Sequence, residues 1–377
     1  MTPKDVLTNP YFCPMPWTGL MYNFDGNVKN CIRSSGTIGN IKDAPITNIV
    51  LGNTNILTQN RIVSDTAVPT CHTCYNLEHG KKGLDIISDR KFYIRELKQV
   101  GLDTYRAGNF NLQTIDVRWS NTCNFACTYC GPEFSSRWAD ELGVKQAVPT
   151  DTQRQQFKDY IFENAGKLKH VYLAGGEPLL MKENLELLDL LDPKVNLRIN
   201  TNLSKVDTKV FERICEFENV HWTISVETIE DEFEYIRYGG KWADFMDNLN
   251  LLKGGHKITF NMLHFLLNYK SIFGCVDFLK SQGFHNNAFV IGALLEPEYL
   301  NIRHLPDSVL QSVKIILEER INAGPGYLLE DSYRNMLHYI EQPYKKDFLG
   351  SMKELYTLDQ RRNVDSSKIF TELYKLK

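Results

Sequence analysis

The chain has 377 residues, of which 42% are hydrophobic and 24% charged, with 43 Lys and Arg against 46 Asp and Glu for a net charge of -3. That length admits two or three domains, or one barrel with an appendage, around a large core. The mixed charge excludes a global field of the kind that attracts nucleic acid or anionic membrane, so a small or locally recognised substrate is expected. The opening MTPKDVLTNPYF lacks the apolar run of a secretory signal, and no stretch of 18 apolar residues occurs anywhere. A cytoplasmic, reducing location with no membrane partner is the expectation. Nine cysteines in that setting read as metal ligands, catalytic groups or buried thiols rather than a disulfide framework.

In chain order, Cys13 precedes an expected strand from Trp17 to Phe24, which turns through Asp25-Gly26 into a second strand ending at Cys31. Asp-Gly between apolar runs is a strong hairpin signal because both positions tolerate positive φ. The turn is expected to bring Cys13 and Cys31 to the same end of the hairpin. Cys71 and Cys74 follow as C-x2-C after the Pro69-Thr70 turn, with His72 and His79 as the neighbouring imidazoles. Four thiolates can close a tetrahedral zinc or complete a 4Fe-4S cluster with no open iron, and the residues alone leave both readings standing. Leu77 to Val100 reads as a helix, with Leu84, Ile87, Ile94 and Leu97 at helical spacing and Gly101 as its stop.

The next stretch, TIDVRWSNTCNFACTYC from Thr114 to Cys130, opens as a strand with Ile115 and Val117 on one face and Asp116 and Arg118 on the other. It breaks at Ser120-Asn121 into a loop whose cysteines, Cys123, Cys127 and Cys130, are spaced C-x3-C-x2-C. Three thiolates on one strand-end loop can hold three irons of a 4Fe-4S cluster and leave the fourth open, as a catalytic metal site requires. A zinc knuckle missing its histidine is the plain alternative. A helix from Asp151 to Leu168 is capped by Thr150, with Gln153 in capping-box register. The strand His170 to Ala174 then runs into Gly175-Gly176-Glu177-Pro178. Two glycines let backbone approach a ligand, and the adjacent carboxylate suits an ammonium group.

Strands follow at Val195 to Asn200, Val220 to Val226, Lys257 to Leu263 and Ala288 to Ala293. Helices are expected between them at Thr208 to Glu218, Glu230 to Tyr238, Trp242 to Leu252 and Ser271 to Lys280. This alternation implies parallel pairing with right-handed crossovers. Counting from Ile115 gives six β/α units, too few for a closed eight-stranded barrel, with chemistry expected at the C-terminal strand ends. Asn261 and His264 are expected as satisfied core polar groups, and Cys215 and Cys275 as buried small hydrophobes. The remainder carries a helix near Asp307 to Ala323, a Gly324-Pro325-Gly326 break and a polar helical tail that could cap the open side of the barrel.

The cysteine loop, with Tyr129 before its last cysteine and GGEP downstream, resembles the radical S-adenosylmethionine (SAM) enzymes. That resemblance implies an α/β fold with a partial (β/α)6 TIM-like barrel, and an open iron that chelates the amino and carboxylate groups of SAM. The reduced cluster would cleave SAM to a 5'-deoxyadenosyl radical that abstracts a substrate hydrogen. Tyr129, Gly175, Gly176, Glu177, Asn202, Ser225 and Arg237 take cofactor-binding roles by position, with the GGE segment on the SAM amino group and Arg237 on its carboxylate. Glu227, near SAM or substrate, is the candidate general base. The run from Cys13 through Gly26 and Cys31, then Ile38-Gly39-Asn40-Ile41 and C-x2-C, resembles a SPASM/twitch auxiliary module in its shorter, one-cluster form. Here it precedes the core instead of following it. The resemblance assigns Cys13, Cys31, Cys71 and Cys74 to a second 4Fe-4S cluster, with zinc as the alternative.

The domain division expected is 1–105 for this β-hairpin module and linking helix, 106–295 for the barrel and 296–377 for a C-terminal, mainly helical extension. Peptide or protein modification ranks first and dehydrogenation of a small alcohol or sugar second, with a reductase, flavodoxin or ferredoxin as electron donor. A non-enzymatic Fe-S or zinc electron carrier or scaffold is the rival class.

Overall fold

The computed structural model describes residues 9–79, 88–96 and 105–376, which form two compact units. The first draws on Met1–Asn121, Lys145–Ile199 and Thr208–Val220, and the second on Thr122–Val144, Asn200–Asp207 and His221–Lys377.

In the first unit, Pro14 and Pro16 start a helical turn at Met15–Thr18, where the sequence suggested a strand from Trp17. Proline fixes φ near the helical value and lacks the N–H that a first turn cannot use. Strand β1 (Gly19–Tyr22) pairs antiparallel with β2 (Asn27–Lys29), and β2 pairs with β3 (Gly39–Asn40). Of the two turn residues only Gly26 takes positive φ, at 92°, while Asp25 Oδ1 accepts the Asn27 N–H at 3.0 Å. The other edge of β1 runs parallel to β4 (Thr114–Val117), which continues to β5 (His170–Leu173) and β6 (Asn196–Thr201). Ile115, Val117, Leu173 and Ile199 are fully buried on one face of these strands. That face packs under helices such as Asp151–Glu163, whose capping box from Thr150 and Gln153 is formed as expected. Tyr22 stacks on Phe157 of this helix at 4.0 Å.

The helix expected over Leu77 to Val100 lies in part outside the described residues; within them stand His72–Glu78 and Asp89–Glu96. The helix expected over Thr208 to Glu218 ends at Ile214, and Cys215, its C-cap, is exposed rather than buried.

In the second unit, β7 (Asn219–Ser225), β8 (Lys257–His264) and β9 (Phe289–Ala293) run parallel. The fold is thus α/β with parallel strands and a sheet that is not closed. Trp222, Phe260, Met262 and Phe289 are fully buried in this half of the core, as is Cys275. His264 is a satisfied core group, its Nε2 bonded to the Tyr269 carbonyl at 3.1 Å. Helices Asp307–Asn322, Tyr327–Glu341 and Phe348–Arg362 follow β9. Ser332 Oγ accepts the Ile291 N–H at 3.1 Å, so this extension covers an edge that would otherwise present unpaired backbone.

Candidate functional site

Loop 123–130 of the second unit is held by backbone rather than by regular secondary structure. Ala126 N–H donates to the Tyr238 carbonyl at 2.8 Å and Thr128 N–H to that of Ile236 at 2.7 Å. Ser135 caps the helix Ser136–Leu142 through the Trp138 N–H and donates to the Phe125 carbonyl at 2.6 Å. Trp138 Nε1 donates to the Cys127 carbonyl at 2.7 Å. Gly239, at φ 105°, and Gly240 let the 236–240 segment lie flat on this loop: a Cβ on Gly240 would stand 2.9 Å from the Phe125 ring.

This backbone zipper carries Arg237 to Tyr129. Both are paired with Glu227: Arg237 Nε and Nη2 each reach a different Glu227 oxygen at 2.8 Å, and the Tyr129 hydroxyl donates to Oε1 at 3.0 Å. Arg237 Nη2 also donates to the Tyr129 hydroxyl at 2.5 Å. Glu227 and Arg237 are 1% and 2% exposed, so the pair stands in low dielectric where an uncompensated charge is costly. Burial opposes the Arg237 charge, but Glu227, Tyr129 and Cys127 more than offset it and hold the guanidinium above its ordinary pKa. Asn202 also reaches the loop, with Nδ2 at 3.8 Å from Cys123 Sγ and 3.2 Å from Asn124 Oδ1. Ser225 ends β7, half-buried, with Asn261 as its cross-strand neighbour.

Two residues that no motif announced complete the setting. The Arg362 guanidinium, 8% exposed, lies 4.5 Å over the Trp138 ring and 4.4 Å over the Tyr238 ring and pairs with Glu141 at 3.2 Å. Leu358, one turn earlier, packs with Trp138 and Ala126, against which Cys130 also rests. Burial pushes the Cys127 thiol above its ordinary pKa; Arg237 and Arg362 pull it down and Glu227 adds to the rise. Cys130 is raised by burial, then by Cys127 and Cys123.

The Gly175-Gly176-Glu177 turn belongs to the first unit. Gly175 has φ 118°, and a Cβ there would come within 3.0 Å of the Ser120 carbonyl and 3.2 Å of Met181 Cε. Glu177 is fully buried and caps the following turn, its Oε1 accepting the Leu179 N–H at 3.1 Å.

The same unit gathers Cys13, Cys31, Cys71 and Cys74 from four separate places: before the first helical turn, after β2, at the start of helix His72–Glu78 and inside it. Ser35 N–H donates to the Thr70 carbonyl at 3.0 Å and ties the loop after Cys31 to the turn before Cys71. Burial pushes the Cys31 thiol to about 12 and Cys71 to about 11, and each neighbouring thiol adds to the rise. Backbone amides of Met15, Arg33, Ser34 and Arg90 act the other way, favouring thiolate at Cys13, Cys31 and Cys74. Arg90, 5% exposed and bonded to Glu78, lowers Cys71 as well, and Arg33 lowers Cys74. Among the described residues no three His, Cys, Asp or Glu side chains converge as a ready metal-binding group.

The Radical SAM superfamily pattern matches residues 117–279. The chain carries a radical SAM domain. Within it fall the three-thiol loop, the GGE turn and the Tyr129, Glu227 and Arg237 cluster; the four-thiol set and Arg362 lie outside it. Among curated proteins, 7-carboxy-7-deazaguanine synthase of Clostridium acetobutylicum is 39% identical over 91 residues, 24% of this chain and 37% of that protein. The chain thus spans little more than a third of that relative. GTP 3',8-cyclase of Aliarcobacter butzleri is 26% identical over 273 residues, 64% of this chain and 76% of that protein. Among solved structures, native anSMEcpe with bound AdoMet aligns at 18% identity and TM-score 0.39, over 54% of this chain and 60% of that one. Streptococcus suis SuiB bound to precursor peptide SuiA aligns at 14% identity and TM-score 0.42, over 73% and 61%. No helix among the described residues is long and apolar enough to cross a membrane.

Proposed function

We propose that this radical SAM domain cleaves SAM reductively and abstracts a hydrogen atom from a substrate carbon, assisted by a second metal centre on Cys13, Cys31, Cys71 and Cys74. The observation that carries this is the donor set: Cys123, Cys127 and Cys130 on one braced loop, with Arg237 acting on Cys127 and Asn202 Nδ2 3.8 Å from Cys123 Sγ. Thiols raised by burial, as Cys127, Cys130 and the four of the first unit are, become thiolates when a metal compensates their charge, and thiolate sets of three and four suit soft-ligand iron-sulfur sites. A 4Fe-4S cluster on the three thiols would supply the electron that breaks a SAM C–S bond, releasing methionine and the 5'-deoxyadenosyl radical.

The chain's own residues bind and orient. Gly175 and Gly176 give close backbone approach, and Glu177 supplies a buried carboxylate for the SAM amino group; Asn202 and Ser225 are proposed as further cofactor-binding residues. Glu227 enters as a positioning residue, because both of its oxygens are engaged by Arg237 and Tyr129. It fixes the Arg237 fork and the ring beside Cys130, leaving Arg237 to meet the SAM carboxylate by exchange of partners. The amides and arginines around the four thiols favour their thiolate forms and so suit a four-thiolate metal centre there, a second Fe-S cluster being the reading proposed.

Peptide or protein modification is the first substrate class. A small anionic molecule is the second reading, favoured by the match to GTP 3',8-cyclases along most of their length. Anaerobic reconstitution followed by dithionite and SAM tests the whole. Formation of 5'-deoxyadenosine supports the enzyme, and none with iron fully loaded would return the chain to the electron-carrier class.

A further inference from the structure

The segments that carry Cys13, Cys31 and the Cys71-Cys74 pair all meet one short helix of the first unit. Helix Asp89–Glu96 packs Ile94 into the buried cluster of Phe12, Trp17, Ile62, Val68 and Tyr105, against which Cys71 also rests. In its first turn, Arg90 Nη1 donates to the Phe12 carbonyl at 2.8 Å, one residue ahead of Cys13. The other arms of the same guanidinium hold Glu78, in the helix that contains Cys74: Nε donates to Oε1 at 3.0 Å and Nη2 to Oε2. Asp89, the preceding residue, accepts from Arg33 Nε at 2.5 Å and so reaches the loop after Cys31.

The Arg90 and Glu78 side chains are 5% and 9% exposed, and a pair buried to that depth adds little net stability because both charges lose their water. What the planar fork adds is direction: donors fixed in one plane set the Phe12 carbonyl against the Glu78 helix. Ser88 Oγ also donates to Glu78 Oε1, and Lys91 Nζ stands 3.9 Å from Oε2. Part of the compensation at this carboxylate would therefore remain without Arg90, while the link it makes to Phe12 would go.

We infer that helix Asp89–Glu96 is the clasp that assembles the four-thiol site, with Arg90 as its positioning residue, so that metal held there and docking of the helix support each other. The inference rests on the reading under Proposed function that these thiols hold a metal, and it concerns how the chain brings them together. Ligands scattered from Cys13 to Cys74 have no short spacing to fix their geometry, unlike Cys123, Cys127 and Cys130 on one loop. Partners that orient ligands from outside the coordination shell are worth about 10–100-fold in metal affinity. Coupling between two binding events is reciprocal, so metal on the four thiols should favour the docked helix by the same factor.

The test uses the full-length chain, reconstituted anaerobically with iron and sulfide and then challenged with increasing EDTA. Iron and zinc analysis with electron paramagnetic resonance reads the four-thiol and loop sites separately. Arg90→Gln should release metal from the four thiols at about 10–100-fold less EDTA than the wild type, while the loop site keeps its wild-type resistance and spectrum. Arg90→Lys, which keeps a charge beside Glu78 but not the fork, should fall between the two. Hydrogen exchange on the wild type needs no variant to fold: amides of Asp89–Glu96 should exchange about tenfold more slowly with metal bound than after its removal. Equal resistance of wild type and Arg90→Gln, parallel loss at both sites, or unchanged exchange would each overturn the inference. A wild type whose four thiols take up no metal would overturn the second metal centre as well, which tells failure of that reading from failure of the inference alone.

Discussion

The three thiols of the second unit sit on one short loop, whereas the four of the first come from segments as distant in sequence as Cys13 and Cys74. The dispersed set builds its electrostatic support locally: the amides of Met15, Arg33, Ser34 and Arg90 and two arginine side chains all act on its sulfurs. The contiguous loop has its sulfur stereochemistry written into its spacing but takes its compensating charge from Arg237 and Arg362, far along the chain. A compact motif thus fixes geometry and leaves charge to the fold; a scattered one needs the fold for geometry and carries charge with it. Single-cysteine replacements give the widest separation between the two sets. Cys127→Ala should abolish 5'-deoxyadenosine formation while about four irons per chain remain. Cys74→Ala should remove the other four and leave that product forming; about four irons with one zinc in the wild type would instead assign the scattered set to zinc. Iron and zinc analysis alongside product assay decides among these.

Next in size is the buried pair on the side of the contiguous loop. Glu227→Gln leaves Arg237 as an unpartnered buried charge and should cost about 3–5 kcal/mol, read by urea unfolding. Glu227→Gln combined with Arg237→Met should recover most of that loss, because the pair is then removed together. If Glu227 were instead a free proton acceptor, the single change would lower turnover while leaving the unfolding midpoint in place.

Acid separates the units by sign. His264, fully enclosed in the second unit, is lowered to about 4 by burial, with the Tyr269 carbonyl pulling the other way. The unfolded chain binds this proton below its ordinary value and the folded chain does not, so stability falls as pH drops from about 6.5 toward 4, by roughly 3 kcal/mol. Asp116 of the first unit is raised, chiefly by burial, so the folded state takes up its proton first and the same fall in pH acts in the stabilising direction. Hydrogen exchange across that range should show amides near β8 losing protection before those of β4. His264→Gln should flatten the first trend alone.

Much of this was legible in the residues. The strand alternation at Ile115 to Arg118, the capping box at Thr150 and the helix Trp242–Leu252 all appear where local pattern places them, because apolar period and cap chemistry are local. The parallel strands β4 to β9 followed from counting alternations. The turn at Met15–Thr18 was hidden because Trp17 to Phe24 reads as a mostly apolar run, and the prolines that redirect it lie just ahead. Cys215 was misplaced because a thiol at a helix end looks the same in sequence whether its helix stops or continues. Trp138 and Arg362 could not have been singled out: each matters only through a partner more than a hundred residues away or through a loop carbonyl. The signal present was modest, a tryptophan and an arginine inside otherwise ordinary helices.

Arg362 offers the finest discrimination between the two thiol sets. Arg362→Gln should cost about 1–3 kcal/mol, since it removes a charged hydrogen bond to Glu141 and leaves the Trp138 and Tyr238 rings without the cation between them. Loss of a fixed positive charge beside Cys127 should also make reduction of a cluster on the three-thiol loop harder, and so lower its midpoint potential. The four-thiol set, whose support comes from Arg90, Arg33 and local amides, should keep its potential. Arg362→Lys preserves the charge but not the planar stack, so it should lose stability while holding the potential of the loop site near the wild-type value. Redox titration followed by electron paramagnetic resonance reads both sites in one sample. Equal shifts at the two sites would mean that Arg362 acts on the molecule as a whole, and the division between borrowed and local charge would fail.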